Sequence, residues 1–124
     1  MNKYLESVQA FQNAIQNKKD FSEAYNNLGF AFKKLGDYAK SKENFLKAIE
    51  YKDNYFQAFN NLTALALEEN NLEDASKFAK KSIQINQKNF EAYNNLGLIF
   101  KKNNDIKNSL INFHKALELS LIHI

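Results

Sequence analysis

Three pairs of adjacent asparagines stand at Asn26-Asn27, Asn60-Asn61 and Asn94-Asn95, each pair 34 residues from the next. A carboxamide carries both donors and an acceptor on one short arm. Set out at a fixed step, such groups can pair with a polypeptide backbone whatever side chains that backbone bears, and the alternative is a solvated helix face. Other chemistry is thinly represented. The 124-residue chain has no cysteine, so neither a disulfide nor a thiolate site can form. His114 and His123 have no histidine or cysteine partner at ligand spacing, which argues against a metal site. The acidic run EENNLED at 68–74 lacks the glycine and the ligand order of a calcium loop. No glycine-rich phosphate loop and no nucleophile motif is present. The residues therefore point to a non-enzymatic chain with no cofactor.

The elements that must position these asparagines follow from the same step. AYNNLG at 24–29 recurs letter for letter at 92–97, with AFNNLT midway at 58–63. The step of 34 also carries Phe45 to Ala79 and Phe113, Ala48 to Ser82 and Ala116, and Ile49 to Ile83 and Leu117. Backwards, it reaches Tyr4, Phe11, Ala14 and Ile15. A fixed period of this size is the mark of stacked supersecondary units. Each unit splits into two helical patterns. Ala24, Tyr25, Leu28, Ala31, Phe32 and Leu35 form one apolar stripe within 22–35, and Tyr38, Ser41, Phe45, Ala48 and Ile49 form another within 38–51. The breaks fall at Gly36-Asp37, Asn70-Asn71 and Asn104-Asp105. Glycine, and next to it asparagine, accepts the left-handed backbone that ends a helix. No alternating strand pattern appears. The expectation is an all-α chain of seven helices in one continuous domain: residues 3–19 the second half of a partial repeat, full repeats at 22–55, 56–89 and 90–119, and an apolar tail at 120–124.

The pattern resembles the tetratricopeptide repeat over roughly residues 3–119. The aromatic-x-x-Leu-Gly-x-x-aromatic part stands as Tyr25, Leu28, Gly29, Phe32 and as Tyr93, Leu96, Gly97, Phe100. The small-x-x-x-aromatic-x-x-Ala part stands as Ser41, Phe45, Ala48 and as Ser109, Phe113, Ala116. The resemblance implies an α-solenoid of antiparallel helix pairs wound into a right-handed superhelix, with first helices lining a concave wall. It also implies a scaffold whose partner is a protein or an extended peptide. Asn26, Asn27, Phe30, Lys33, Asn60, Asn61, Ala64, Asn94, Asn95, Leu98 and Lys101 would then face the groove, with Asn27, Asn61 and Asn95 as a ladder along its floor. The carboxylate clamp of some family members is not among the expectations. It would need lysine at Asn26, asparagine at Phe30 and basic residues at Glu91 and Asn95, and only its asparagine at Asn61 is present.

Two departures from the family pattern carry expectations of their own. Proline is absent, with Asp53 and Gln87 where it would fall between repeats. The middle repeat is degenerate, because Thr63 replaces the glycine and Ala66 and Ala79 replace two phenylalanines. Lost rings leave space, so this repeat is expected to be the weakest unless a neighbour such as Phe78 turns inward.

Net charge is a mild +3, and every one of the 17 basic residues is lysine. Lysine pairs at 18–19, 33–34, 80–81 and 101–102 leave nucleic-acid contact as a lesser reading, which the lack of arginine, the residue suited to bidentate contact, weighs against. No apolar run is long enough to span a bilayer. MNKYLESVQAF reads as an amphipathic helix and not a secretory leader, so a cytoplasmic location is expected. Both ends look uncapped. Tyr4, Leu5, Val8, Phe11 and Ile15 lack a first helix, and LSLIHI carries Leu119, Leu121, Ile122 and Ile124, the other reading being that LSLIHI folds back over the last repeat as its own cap. Self-assembly, as a homodimer through these terminal helices or within a larger protein, is the alternative to peptide binding.

Overall fold

The computed structural model describes residues 2–17 and 22–122. Among them are seven α-helices: α1 (Asn2–Asn17), α2 (Ser22–Lys34), α3 (Tyr38–Tyr51), α4 (Phe56–Glu68), α5 (Leu72–Ile85), α6 (Phe90–Lys102) and α7 (Ile106–Ile122). No strand occurs among the described residues. The lysine pair at 18–19, His123 and Ile124 lie outside them, as do the side chains of Ala14 and Ile15.

The helix ends repeat as faithfully as the helices. Gly36, Asn70 and Asn104, one step of 34 apart, all have left-handed backbone, with φ of 85°, 56° and 61°. Each folds the chain back in the same way. Gly36 N donates to Lys33 O and Asp37 N to Phe32 O, while Asn70 N and Asn71 N reach Leu67 O and Ala66 O, and Asn104 N and Asp105 N reach Lys101 O and Phe100 O. These paired bonds satisfy carbonyls that a helix end otherwise leaves open. The next residue then caps the following helix: Asp37 accepts from Lys40 N, Asn71 from Asp74 N and Asp105 from Asn108 N. The turns between repeats, where proline was missed, close by backbone bonds, Tyr55 N to Lys52 O and Asn89 N to Asn86 O. Asn89 adds a cap, accepting from Ala92 N and donating to Ser82 Oγ at 2.6 Å.

The chain divides into two compact units, Met1–Asn61 and Leu62–Ile124, with the boundary inside α4. In the first, α1 packs on α2 and α2 on α3. Val8 meets Leu28, Ala31 and Phe32, with Phe11 and Leu35 at the margin. A second cluster joins Tyr25, Ala48, Tyr55 and Ala58, and the Tyr25 and Tyr51 rings stack at 5.6 Å. In the second unit, α5 packs on α6 and α6 on α7. Its core gathers Ala66, Leu67, Ala75, Ala79, Leu96 and Ile99, with Leu72, Ile83 and Phe100 packed against them.

The glycine within the repeated motif has a measurable purpose. A Cβ on Gly29 would lie 2.6 Å from the Phe45 ring, and one on Gly97 would lie 2.5 Å from the Phe113 ring. The glycine is a seat for the ring of the paired helix. Beside it, Ser41 Oγ donates to Gly29 O at 2.6 Å, and Ser109 Oγ donates to Gly97 O at 2.8 Å. The middle repeat changes all three positions together, to Thr63, Ala75 and Ala79, and all three are fully buried. Bulk and hydroxyl have moved from the second helix to the first. Phe78 is half-buried, so the core position stays with Ala79, and Thr63 stands at the repeat position that in the outer repeats is the glycine seating the ring.

Candidate peptide-binding face

The asparagine-bearing side of α2 is set by the stripe that buries Ala24, Leu28, Ala31 and Phe32. One member of its pair faces inward. Asn26 is buried, and its Oδ1 accepts from Asn61 Nδ2 at 2.9 Å. It also hydrogen-bonds the Tyr55 side chain. Burial pushes the Tyr55 phenol above its ordinary value, the Glu23 carboxylate adds to the rise, and the Asn26 bond opposes it. Asn26 therefore stitches α2 to the start of α4 within the first unit. Asn60 is buried as well. These inward positions depart from the outward flank that the helical spacing implied. A carboxamide can occupy a core when its groups are satisfied, and no buried side-chain nitrogen or oxygen lacks a partner among the described residues.

The second member of each pair lies nearer to water. Asn27, Asn61 and Asn95 are all half-buried, although the Asn61 Nδ2 group is committed to Asn26. One turn on, Phe30 is 43% exposed and Leu98 36% exposed, while Ala64 is half-buried. Lys34 Nζ sits 5.2 Å from the centre of the Phe30 ring. Lys33 is half-buried and Lys101 exposed. Asn94, unlike Asn26 and Asn60, is exposed on α6. Each unit thus presents an amide beside an apolar side chain: Asn27 with Phe30 on α2, and Asn95 with Leu98 on α6.

Two broader depressions lie elsewhere and were not legible in the sequence. One, of about 570 Å³, runs over α2 between α1 and α3 and is edged by Lys40, Glu43 and Lys47. The other, of about 550 Å³, lies between α5 and α6 and is edged by Glu73, Lys77 and Lys80. Both are lined by mixed charges, and no cluster of three or more metal-ligating side chains occurs among the described residues. His114 Nε2 lies 2.9 Å from Glu118 Oε1 on the open face of α7. Buried Asn44, also unforeseen, donates to Lys40 O within its own helix.

Tetratricopeptide repeat models match residues 22–55 and 78–111, and a TPR repeat model matches residues 1–36. The chain belongs to the tetratricopeptide repeat family. Among solved structures, two crystal structures of MamA are similar over 94% of this chain, with TM-scores of 0.84 and 0.83 at 21% identity. The match spans 68% and 63% of those two chains. A chain in the crystal structure of the APC/C hetero-tetramer Cut9-Hcn1 matches 96% of this chain at a TM-score of 0.90 and 18% identity, over 23% of its own length. No curated relative matches in sequence. Tetratricopeptide repeat proteins bind protein partners, and the repeats make this chain a protein-interaction scaffold. No described helix is long and apolar enough to cross a membrane.

Proposed function

We propose that each unit by itself holds extended polypeptide against the asparagine-bearing flank of its first-type helix, α2 in one unit and α6 in the other. The observation that carries the reading is the juxtaposition of Asn27 with exposed Phe30 and of Asn95 with exposed Leu98 at the same point of the repeat. The amide supplies a donor and an acceptor for a backbone, and the apolar neighbour supplies area that pays only when a ligand covers it. Asn61 plays a lesser part, because its Nδ2 group already serves Asn26.

The test is selection of short peptides from a random library on the purified chain, followed by titration of those selected. Asn27→Ala with Asn95→Ala should weaken binding by about 1 kcal/mol per lost hydrogen bond and leave the helical signal intact. Binding that survives both these changes and Phe30→Ala with Leu98→Ala would refute this face. Because the contacts are amide and apolar, added salt should change affinity little, whereas a nucleic-acid ligand would show a steep loss.

A further inference from the structure

The last helix differs from the other second helices in what it shows to water. Ile106, Leu110, Leu117 and Leu121 are 55%, 62%, 56% and 59% exposed. At 3.6 residues per turn they fall within roughly 60° of arc, so they form one stripe along α7. The same turn of phase in the earlier repeats is polar at two of these four positions. Leu110 answers to Lys42 and Ser76, and Leu121 to Asp53 and Gln87. Lys42, Asp53 and Gln87 are exposed and Ser76 is half-buried, so a further repeat stacked on α7 would leave these positions wholly or partly in water. The apolar residues at 110 and 121 answer to a different cover. Helix α7 is also longer, at 17 residues against 14 in α3 and α5, and the extra turn carries Leu121.

We infer that this stripe is a dimerisation face that receives α7 of a second copy of the chain in antiparallel orientation. The spacing of the stripe, steps of 4, 7 and 4, reads the same in both directions. Reversed on itself about its centre between Phe113 and His114, it sets Ile106 against Leu121 and Leu110 against Leu117 of the other copy. The charges agree. Lys107 and Glu118 each follow a stripe residue and lie on the same edge of it. Antiparallel helices bring like edges together, so Lys107 of one copy faces Glu118 of the other, twice, with an offset of about 3 Å along the axis. The existing contact of Glu118 with His114 is no obstacle, since both side chains are more than half exposed and such pairs are weak. A parallel pair would face like edges with unlike ones and lose these ion pairs. The face lies on a second-type helix, apart from Asn95 and Leu98 on α6, so it stands independently of the peptide reading.

The experiment is sedimentation equilibrium of the 124-residue chain from micromolar to submillimolar concentration. A dimer is expected. Leu110→Glu with Leu117→Glu should raise its dissociation constant at least about a hundredfold, with unchanged far-ultraviolet circular dichroism because both positions are exposed. Lys107→Glu should weaken the dimer, and adding Glu118→Lys should restore it. The chain has no cysteine, so His114→Cys beside the two-fold axis should oxidise to a disulfide-linked dimer, while Leu46→Cys on α3 should not. A monomer at every concentration, a dimer indifferent to the paired glutamates, or a dimer that His114→Cys fails to cross-link would each overturn the proposal. The first would mean that another protein or another helix covers the stripe.

Discussion

Gly29, Ser41 and Phe45 in the first full repeat, and Gly97, Ser109 and Phe113 in the last, solve one packing problem in one way. The middle repeat solves it in another. In the outer repeats the first helix gives up its side chain, and a phenylalanine from the second helix lies on the bare backbone. In the middle repeat the first helix carries threonine, and the second helix presents only Ala75 and Ala79. In the sequence Thr63 and Ala79 stood with Ala66 as separate departures, and Ala75 was not singled out. The substitutions at 63, 75 and 79 are better understood as one exchange, because a residue at position 63 and a ring at position 79 would claim the same space. The exchange returns only part of the volume of the lost ring, because Thr, Ala and Ala carry fewer side-chain atoms than Gly, Ser and Phe, and a compensated set is tolerated better than any of its single changes. The lesson is that degeneracy within a repeat has to be judged on sets of positions that touch, never on single departures from a consensus.

The comparison can be broken by moving the sets between repeats. Phe45→Ala alone should cost about 3–5 kcal/mol, by leaving a void over Gly29. Gly29→Thr alone should cost about 1–3 kcal/mol, by driving a side chain into the ring. The triple exchange Gly29→Thr, Ser41→Ala, Phe45→Ala should cost clearly less than the sum, with coupling of about 1–3 kcal/mol in a urea-denaturation cycle. In the other direction, Ala79→Phe should destabilise and Thr63→Gly should relieve it. Additive costs in either direction would show that the middle repeat is weakened and not exchanged, and that the expectation of a weak link deserves to be kept.

A smaller effect sharpens the contrast among the asparagines. Asn26→Ala removes the acceptor of the Asn61 amide and a partner of Tyr55 in the first unit. It should cost about 1–3 kcal/mol. Asn94→Ala, at the same point of the repeat but exposed, should stay within about 0.5 kcal/mol of the parent. Equal losses would mean that position in the repeat, and not burial, sets the role of the residue.

The smallest effect separates the caps. Asp105 is held below its ordinary carboxylate value, first by the side-chain amide of Asn108 and then by its backbone N–H. A carboxylate whose folded-state value is depressed stabilises the fold above its unfolded value and loses that contribution as pH falls through the folded one. Acidification below about 3.8 should therefore loosen the start of α7. Asn71, the cap of α5, does not titrate in that range. The protection of the Asn108 amide, corrected for the intrinsic exchange rate at each pH, should fall with pH while that of Asp74 holds. Parallel loss at both would assign the change to general acid unfolding.

Much of this molecule was fixed by order along the chain. The step of 34, the apolar stripes and the breaks at Gly36, Asn70 and Asn104 mark α2 and α3 to within a residue and imply their equivalents, because helix formation and termination depend on neighbours within four or five positions, although α7 runs to Ile122, into the stretch read as a tail. Hydrogen bonds of that reach leave a local trace. Where proline is absent, a backbone bond of three residues' span closes each described turn between repeats, Tyr55 N to Lys52 O and Asn89 N to Asn86 O. What the sequence could not reveal is where an amide points when its partner lies 35 residues away. Asn26 and Asn27 are chemically identical and adjacent, yet one is buried against Asn61 and Tyr55 and the other lies toward solvent. The exchange between Thr63 and Ala79 was hidden in the same way. Only packing decides such matters, because burial of a polar group is settled by whether a distant partner arrives within about 3 Å to replace water.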